Sequence, residues 1–348
     1  MMIKNNGEFL FGFEAVMSNP NGDPDQENKP RMDYETGTNL VSDARRKRDV
    51  RDFLKQKGYP IFVDTLNDKK VAMPTMFEEI RKRWMAPEKL KAVLEQQPEI
   101  RKVWEKFEGS EQDPEKVYEA ASKDKKKKDL FTTFNNLFLT HIIKESLIDI
   151  RLFGSAMAIE GVTRTYTGPV QINWGYSLHP VELVKSNSIT TIMNDDSSTF
   201  GKKHKLYYSL VTHYGTINKF NAQKTGMREE DREVFRKALV QGMMNQLTDS
   251  KQGQSPLFYL EVVYEENFDG YVGDLRRFLR AEYDENKPIR SLKDVKVDFS
   301  ALRDVLTQLQ SNGRIKQILK WMNPYADQGQ FLHFPDGETI DLLAPIQE

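Results

Sequence analysis

Cysteine is absent from the 348 residues, which excludes disulfides, thiolate metal sites and a cysteine nucleophile together. Histidine is scarce. His141, His179, His204, His213 and His333 form neither an H-E-x-x-H pattern nor a close ligand pair, so no metal site is expected. No P-loop, no G-x-G-x-x-G after a strand and no G-x-S-x-G elbow occurs, which leaves a nucleotide-dependent enzyme unsupported and no cofactor expected. No apolar run reaches the roughly 18 residues of a membrane helix, and the opening MMIKNNGEFLF lacks a signal-type apolar stretch. A soluble cytoplasmic protein without membrane contact is the expectation. An excess of one charge is also missing: 51 Lys and Arg stand against 52 Asp and Glu. That balance leaves nucleic-acid binding open, because what counts is where the positive charge gathers.

The apolar run 8–17 reads as a buried strand. Residues 18–39, SNPNGDPDQENKPRMDYETGTN, are too rich in Asn, Pro, Gly and Asp for a helix, and long for a bare connection. Ser42 is placed to cap a helix ending at Gly58, with Asp43 in its first turn. On that helix Arg48, Arg51 and Lys55 gather on one face with Lys47 beside it. Asp49 and Asp52 fall on another, so the acids need not neutralise the basic stripe. Residues 59–64 suggest a strand. Residues 75–121 read as helical with breaks at Pro87, Pro98 and Pro114, followed by the lysine run 123–128 and a helix at 130–147. Strands are expected at 148–160, 168–176, 204–218 and 257–264, and a projecting hairpin at about 186–205. Helices are expected at 227–247, 271–282 and 300–322, then an extended tail.

Without the insertions the order is strand, helix, two strands, helix, strand. The fold class is therefore α+β, with a ferredoxin-like or RNA-recognition-motif-like palm. The palm takes residues 1–74 and 147–285, with the hairpin as a thumb. Residues 75–146 form an inserted helical lobe, and 286–348 a C-terminal extension packing on the palm.

Asp23, Asp25 and Asp33 suit either Mg²⁺ or activation of a 2′-hydroxyl, but Asn-Pro-Asn-Gly-Asp-Pro is itself a turn sequence, which favours a structural role. The basic helix face is suited to gripping successive phosphates, or is simply solvated. The lysine run fits a solvated loop better. The hairpin sets Ile192, Met193 and Phe200 beside Lys202, Lys203 and His204: wedges and cations for a single strand, or residues packed inward on the sheet. In TGPVQINWG (167–175), Gly168 would permit close backbone approach to a partner or would serve a tight turn with Thr167. Gln171 and Trp174 lie along the same stretch.

Several segments together resemble a known family. NPNGDPDQENKPRMDYETGTNLVSDARRKRDVR (19–51) is similar to the N-terminal signature of the backbone subunit of type I CRISPR Cascade complexes, the seventh Cas family of the RAMP superfamily. IDIRLFGSAM (148–157) and TGPVQINWGYSLHPVE (167–182) resemble its middle signature. GKKHKLYYSLVTHYGTIN (201–218) and TGMREED (225–231) resemble its later part, with subtype I-B the nearest. The resemblance implies a non-catalytic protein that polymerises along CRISPR RNA beside other Cascade subunits and presents the guide for pairing with target DNA. It implies RNA contacts at Arg45, Lys47, Arg48 and Arg51, at Gly168, Pro169, Val170 and Gln171, and at Gly201, Lys202, Lys203 and His204; with the residues read above, the candidate RNA-binding set also holds Asn21, Lys55, Thr167, Trp174, Met193 and Phe200. It also raises an alternative, since backbone subunits of type III complexes cleave target RNA with a loop aspartate, a place open to Asp23, Asp25 or Asp33.

Overall fold

The computed structural model describes residues 1–62, 65–66, 69–70, 73–107, 109, 113–159, 162–186, 188–194 and 197–346. Its helices are α1 Asp43–Gln56, α2 Met73–Trp84, α3 Pro87–Gln96, α4 Pro98–Trp104, α5 Pro114–Lys123, α6 Lys128–Ser146, α7 Ile148–Phe153, α8 Lys219–Thr225, α9 Glu229–Met244 and α10 Ser300–Ser311. The chain divides into two compact units. One comprises Met1–Lys57, Pro169–Phe220 and Arg228–Glu348, and the other Gly58–Gly168 with Asn221–Met227.

The first unit is built on a sheet that counts nine strands among the described residues. These are β1 Gly7–Ser18, β2 Met32–Asp33, β3 Thr38–Val41, β4 Val170–Ile172, β5 Gly175–Ser177, β6 Leu206–Ile217, β7 Gln254–Tyr264, β8 Ile315–Met322 and β9 Glu338–Thr339. Their order is β9-β8-β7-β1-β6-β5-β3-β2, with β4 also on β6. Strands β1, β6 and β7 are buried at nearly every position, the pattern of strands covered on both faces. On one face Phe9 meets Phe235 of α9 with ring centroids 5.6 Å apart, and Phe13 lies 5.9 Å from the ring of His213. On the other, Leu10, Leu260 and Val262 share a core with Val295, Phe299, Leu302, Leu306 and Phe331 of the C-terminal region. Gly12 lets the sheet stay flush there, since a Cβ would stand 2.1 Å from the Phe258 ring. Helices α1 and α9 touch through Gly242, where a Cβ would come within 2.8 Å of the Asp49 carbonyl oxygen.

The second unit is mainly helical. Pro87, Pro98 and Pro114 each sit at the first position of a helix, where the missing N–H costs nothing. Trp104, Phe107, Phe134 and Phe138 form its aromatic centre, with Phe134 5.1 Å from Trp104 and 5.3 Å from Phe138.

Four expected elements differ. Residues 148–153 are the helix α7, and the strand begins only at Gly154, whose φ of 71° ends the helix. The described part of 59–64 forms no strand. Residues 271–282 hold a 3-10 turn, Leu275–Phe278, and a short strand, Arg280–Glu282, instead of a helix. The helix expected over 300–322 stops at Ser311. There Gly313 (φ 62°) donates to the Gln310 carbonyl and Arg314 to that of Leu309, a Schellman stop that frees Ile315–Met322 to pair with β7.

Candidate nucleic-acid interface

With both sheet faces of the first unit covered, exposed chemistry falls to its loops and helix ends. The loop 18–42 is held by its own side chains. Asn19 Nδ2 donates to Asn28 O at 2.7 Å, and Asn21 Oδ1 accepts from the Ser42 amide at 2.8 Å. Ser42 Oγ in turn accepts from Arg45 N at 3.3 Å and caps α1, as its place before Asp43 predicts. Two of the three loop carboxylates are engaged in turns. Asp23 accepts from the Asp25 amide, and Asp33 accepts from Glu35 N and Thr36 Oγ1, bonds that hold its carboxyl below the usual range.

The basic stripe of α1 is not segregated from the helix acids, contrary to expectation. Arg45 pairs with Asp49, Lys47 with Asp43 at 2.9 Å, and Arg48 with Asp52 at 2.5 Å. Residues four apart are only about 40° from one another around a helix, so each of these acids shares a face with its base and the stripe is paired rather than segregated. Arg51 and Lys55 continue along the same helix. Arg46 is buried, stacks over Phe13 at 4.9 Å and binds Asp49 at 3.0 Å. Burial lowers its pKa to about 10 despite Asp49. His213, beneath it, is pushed down to about 3 by burial and then by Arg46, and its Nδ1 faces Asn173 O at 3.0 Å.

At the base of the hairpin Ser188–Asn194/Ser197–Lys202, four basic residues follow one another. Lys202 reaches Glu27 at 3.2 Å, Lys203 and Lys205 reach Asp249 at 3.0 and 3.6 Å, and His204 Nε2 lies 3.9 Å from Glu27. The two acids sit below their ordinary pKa, chiefly through hydrogen bonds from Lys202 and Lys203. A cleft of about 260 Å³ opens here between Asn19 and Asn28, Lys202 to Lys205, and Thr248 to Ser250. Next to the lining residue Ser250, Lys251 donates to Asn19 O at 2.6 Å and Pro20 O at 3.1 Å. Trp174 is 46% exposed. The Arg31 guanidinium lies 5.6 Å from its ring, and its carbonyl accepts from Arg276 at 2.6 Å.

The structure therefore brings Asn21, Arg45, Lys202, Lys203 and His204 onto one loop system, through Asn19 and Lys251. Lys47 and Arg48 stay ion-paired on α1, and Gln171 is an exposed residue of β4. Thr167 and Gly168 belong to the second unit. Gly168 makes its close approach to its own chain: a Cβ there would meet Phe153 at 2.1 Å, so internal packing accounts for the glycine. The side chains of Met193 and Phe200 lie outside the described residues. Sequence reasoning missed Arg31, Arg46, Lys205 and Lys251. Lys205 continues the 202–204 run and was legible, whereas the others acquire meaning only from what they pack against.

Fold and cleft define an α+β protein whose cations collect at a loop cleft rather than on a sheet face. The family model of CRISPR-associated protein Cas7 matches residues 5–300, and the chain belongs to that family. It is similar to the CRISPR-associated protein Cas7 of Haloferax volcanii, 27% identical over 332 residues that cover 89% of this chain and 85% of that one. In fold it is similar to a chain of a CRISPR RNA-guided surveillance complex, pre-nicking, with a TM-score of 0.52 at 14% identity, covering 97% of this chain and 96% of the other.

Proposed function

We propose that the chain is a repeating, non-catalytic backbone subunit of a type I, I-B-like Cascade complex. It binds CRISPR RNA without regard to sequence, beside further copies of itself and other Cascade subunits, and presents the guide to target DNA. The observation that carries this reading is the lysine-lined cleft at the hairpin base. It offers clustered positive charge suited to phosphates, the sequence-independent part of any guide. The strand order β7-β1-β6-β5, with α1 after β1 and α9 after β6, supports a ferredoxin-like palm. The hairpin Ser188–Lys202 is its thumb, and the helical lobe falls within Gly58–Gly168. No helix among the described residues is long and apolar enough to cross a membrane, in keeping with a cytoplasmic complex. The non-catalytic assignment is supported by Asp33, which accepts from its own loop through both carboxylate oxygens, and by Asp23, which does so through one.

The test is Lys202→Glu with Lys203→Glu in the full chain. Both lysines are exposed, so the circular dichroism spectrum should be unchanged. Retention of single-stranded RNA at physiological salt should fall by roughly tenfold or more, since phosphate contacts are lost and two new anions face the cleft. Unaltered retention rejects the reading.

A further inference from the structure

Beside the cleft lies a group that phosphate binding alone does not explain. Lys251 sits in the turn between α9 and β7, and its ammonium is spent on two carbonyls of the N-terminal loop, Asn19 and Pro20. The same turn holds that loop through the backbone, with Asn19 N donating to Ser250 O at 2.7 Å. Asn19 and Ser250 both line the cleft. Anything that strengthens or weakens the ammonium therefore acts on the cleft wall.

We propose that Lys251 is a positioning residue whose ammonium fixes the N-terminal loop against the 248–254 turn, and that a phosphate entering the adjoining cleft tightens this tie. The inference rests on the RNA-binding reading above and adds to it a coupling between guide binding and proton uptake. The charges facing Lys251 explain the coupling. Arg45 and Arg46 on α1 oppose it, and Asp49 alone favours it. On its own turn Asp249 is taken by Lys203 and Lys205 of the hairpin base. Burial first, then the two arginines, lowers Lys251 to about 7. Near neutrality the tie is therefore only partly charged. A phosphate diester, ionised at all these pH values, supplies the counter-charge that the protein withholds.

The sign follows from linkage. If binding restores the lysine toward its ordinary pKa, RNA affinity falls as pH rises above 7, by up to about tenfold per unit. At pH 8, close to one proton should be taken up per subunit, about 0.9 for a group at 7. The RNA-free protein moves the other way. The lowered lysine binds fewer protons folded than unfolded, so its contribution to stability grows between pH 7 and about 10.

The experiment is calorimetric titration of the full chain with a single-stranded RNA long enough for several copies, at pH 8, in two buffers of different ionisation enthalpy. Wild type should show the proton uptake. Lys251→Arg, charged throughout, and Lys251→Met, never charged, should both abolish it and flatten the affinity profile between pH 7 and 9. The arginine variant should bind more tightly than wild type at pH 9. RNA binding by wild type without uptake, or uptake that persists in both variants, overturns the inference and leaves the functional reading standing. Failure of wild type to bind RNA at any pH overturns that reading, and the inference with it.

Discussion

Glu261 is fully buried in β7, yet it accepts from Arg232 at 2.7 Å, Arg236 at 2.5 Å and the Tyr259 hydroxyl at 2.8 Å. Burial pushes its carboxyl up, but the two guanidiniums outweigh burial and leave it at about 2. The group therefore stabilises the fold above its unfolded value of about 4.3 and loses that contribution as pH falls toward 2. Glu261→Gln leaves two buried cations without their anion and should cost about 3–5 kcal/mol in urea unfolding at neutral pH. A loss below about 1 kcal/mol would show that the cluster is not the anchor it looks like. In the sequence, Glu261 is visible as a lone acid inside LFYLEVVY, and Arg232 and Arg236 stand one helical turn apart on α9. Their meeting is not visible, because it depends on α9 lying across β7. The pairs Arg45–Asp49, Lys47–Asp43 and Arg48–Asp52 differ: their i,i+4 spacing stands in the sequence itself, and assigning the acids to a separate helix face overlooked it.

Element boundaries followed local chemistry wherever it was strong. Ser42 caps α1, and three prolines open three helices of the second unit. One error came where an amphipathic pattern ran past a stop. The Asn312-Gly313 pair ends α10 and turns IKQILKWM into a sheet strand, although its apolar spacing also suits a helix. The α1–α9 contact offers a test that separates propensity from packing. On propensity alone, Gly242→Ala should stabilise a helix by about 1 kcal/mol. In place, the new methyl would press on the Asp49 carbonyl at 2.8 Å, a backbone atom that cannot swing away. The expected result is net destabilisation of about 1–3 kcal/mol, read as a lower urea midpoint. A raised midpoint would mean that the two helices part easily.

For the whole molecule, charge distribution matters more than charge total. A net of −1 coexists with Lys202, Lys203 and Lys205 at one cleft. Each is held by an acid that a phosphate can replace, so binding should respond steeply to salt. Three displaced contacts predict a slope of roughly −2 in log K against log salt for each subunit on single-stranded RNA. Many subunits on one strand gain further by avidity, which makes assembly cooperative while a single copy binds weakly. Fluorescence anisotropy of labelled RNA across a salt series measures both. A flat salt response would be incompatible with a phosphate cleft.

By itself the sequence determined the local events: the capped basic helix, the proline-opened helices, the buried strands, the hairpin and the ordered signature segments that resemble the family. These depend on neighbours within a few residues, where propensity and periodicity act. Only the tertiary structure decided that both sheet faces are covered, that Gly168 serves an internal contact, and that Lys251 ties the N-terminal loop beside Lys202 and Lys203. Those facts join residues up to some 230 positions apart, as Lys251 and Asn19 are. The free energy that brings them together comes from burying the shared core, which no short stretch of chain encodes.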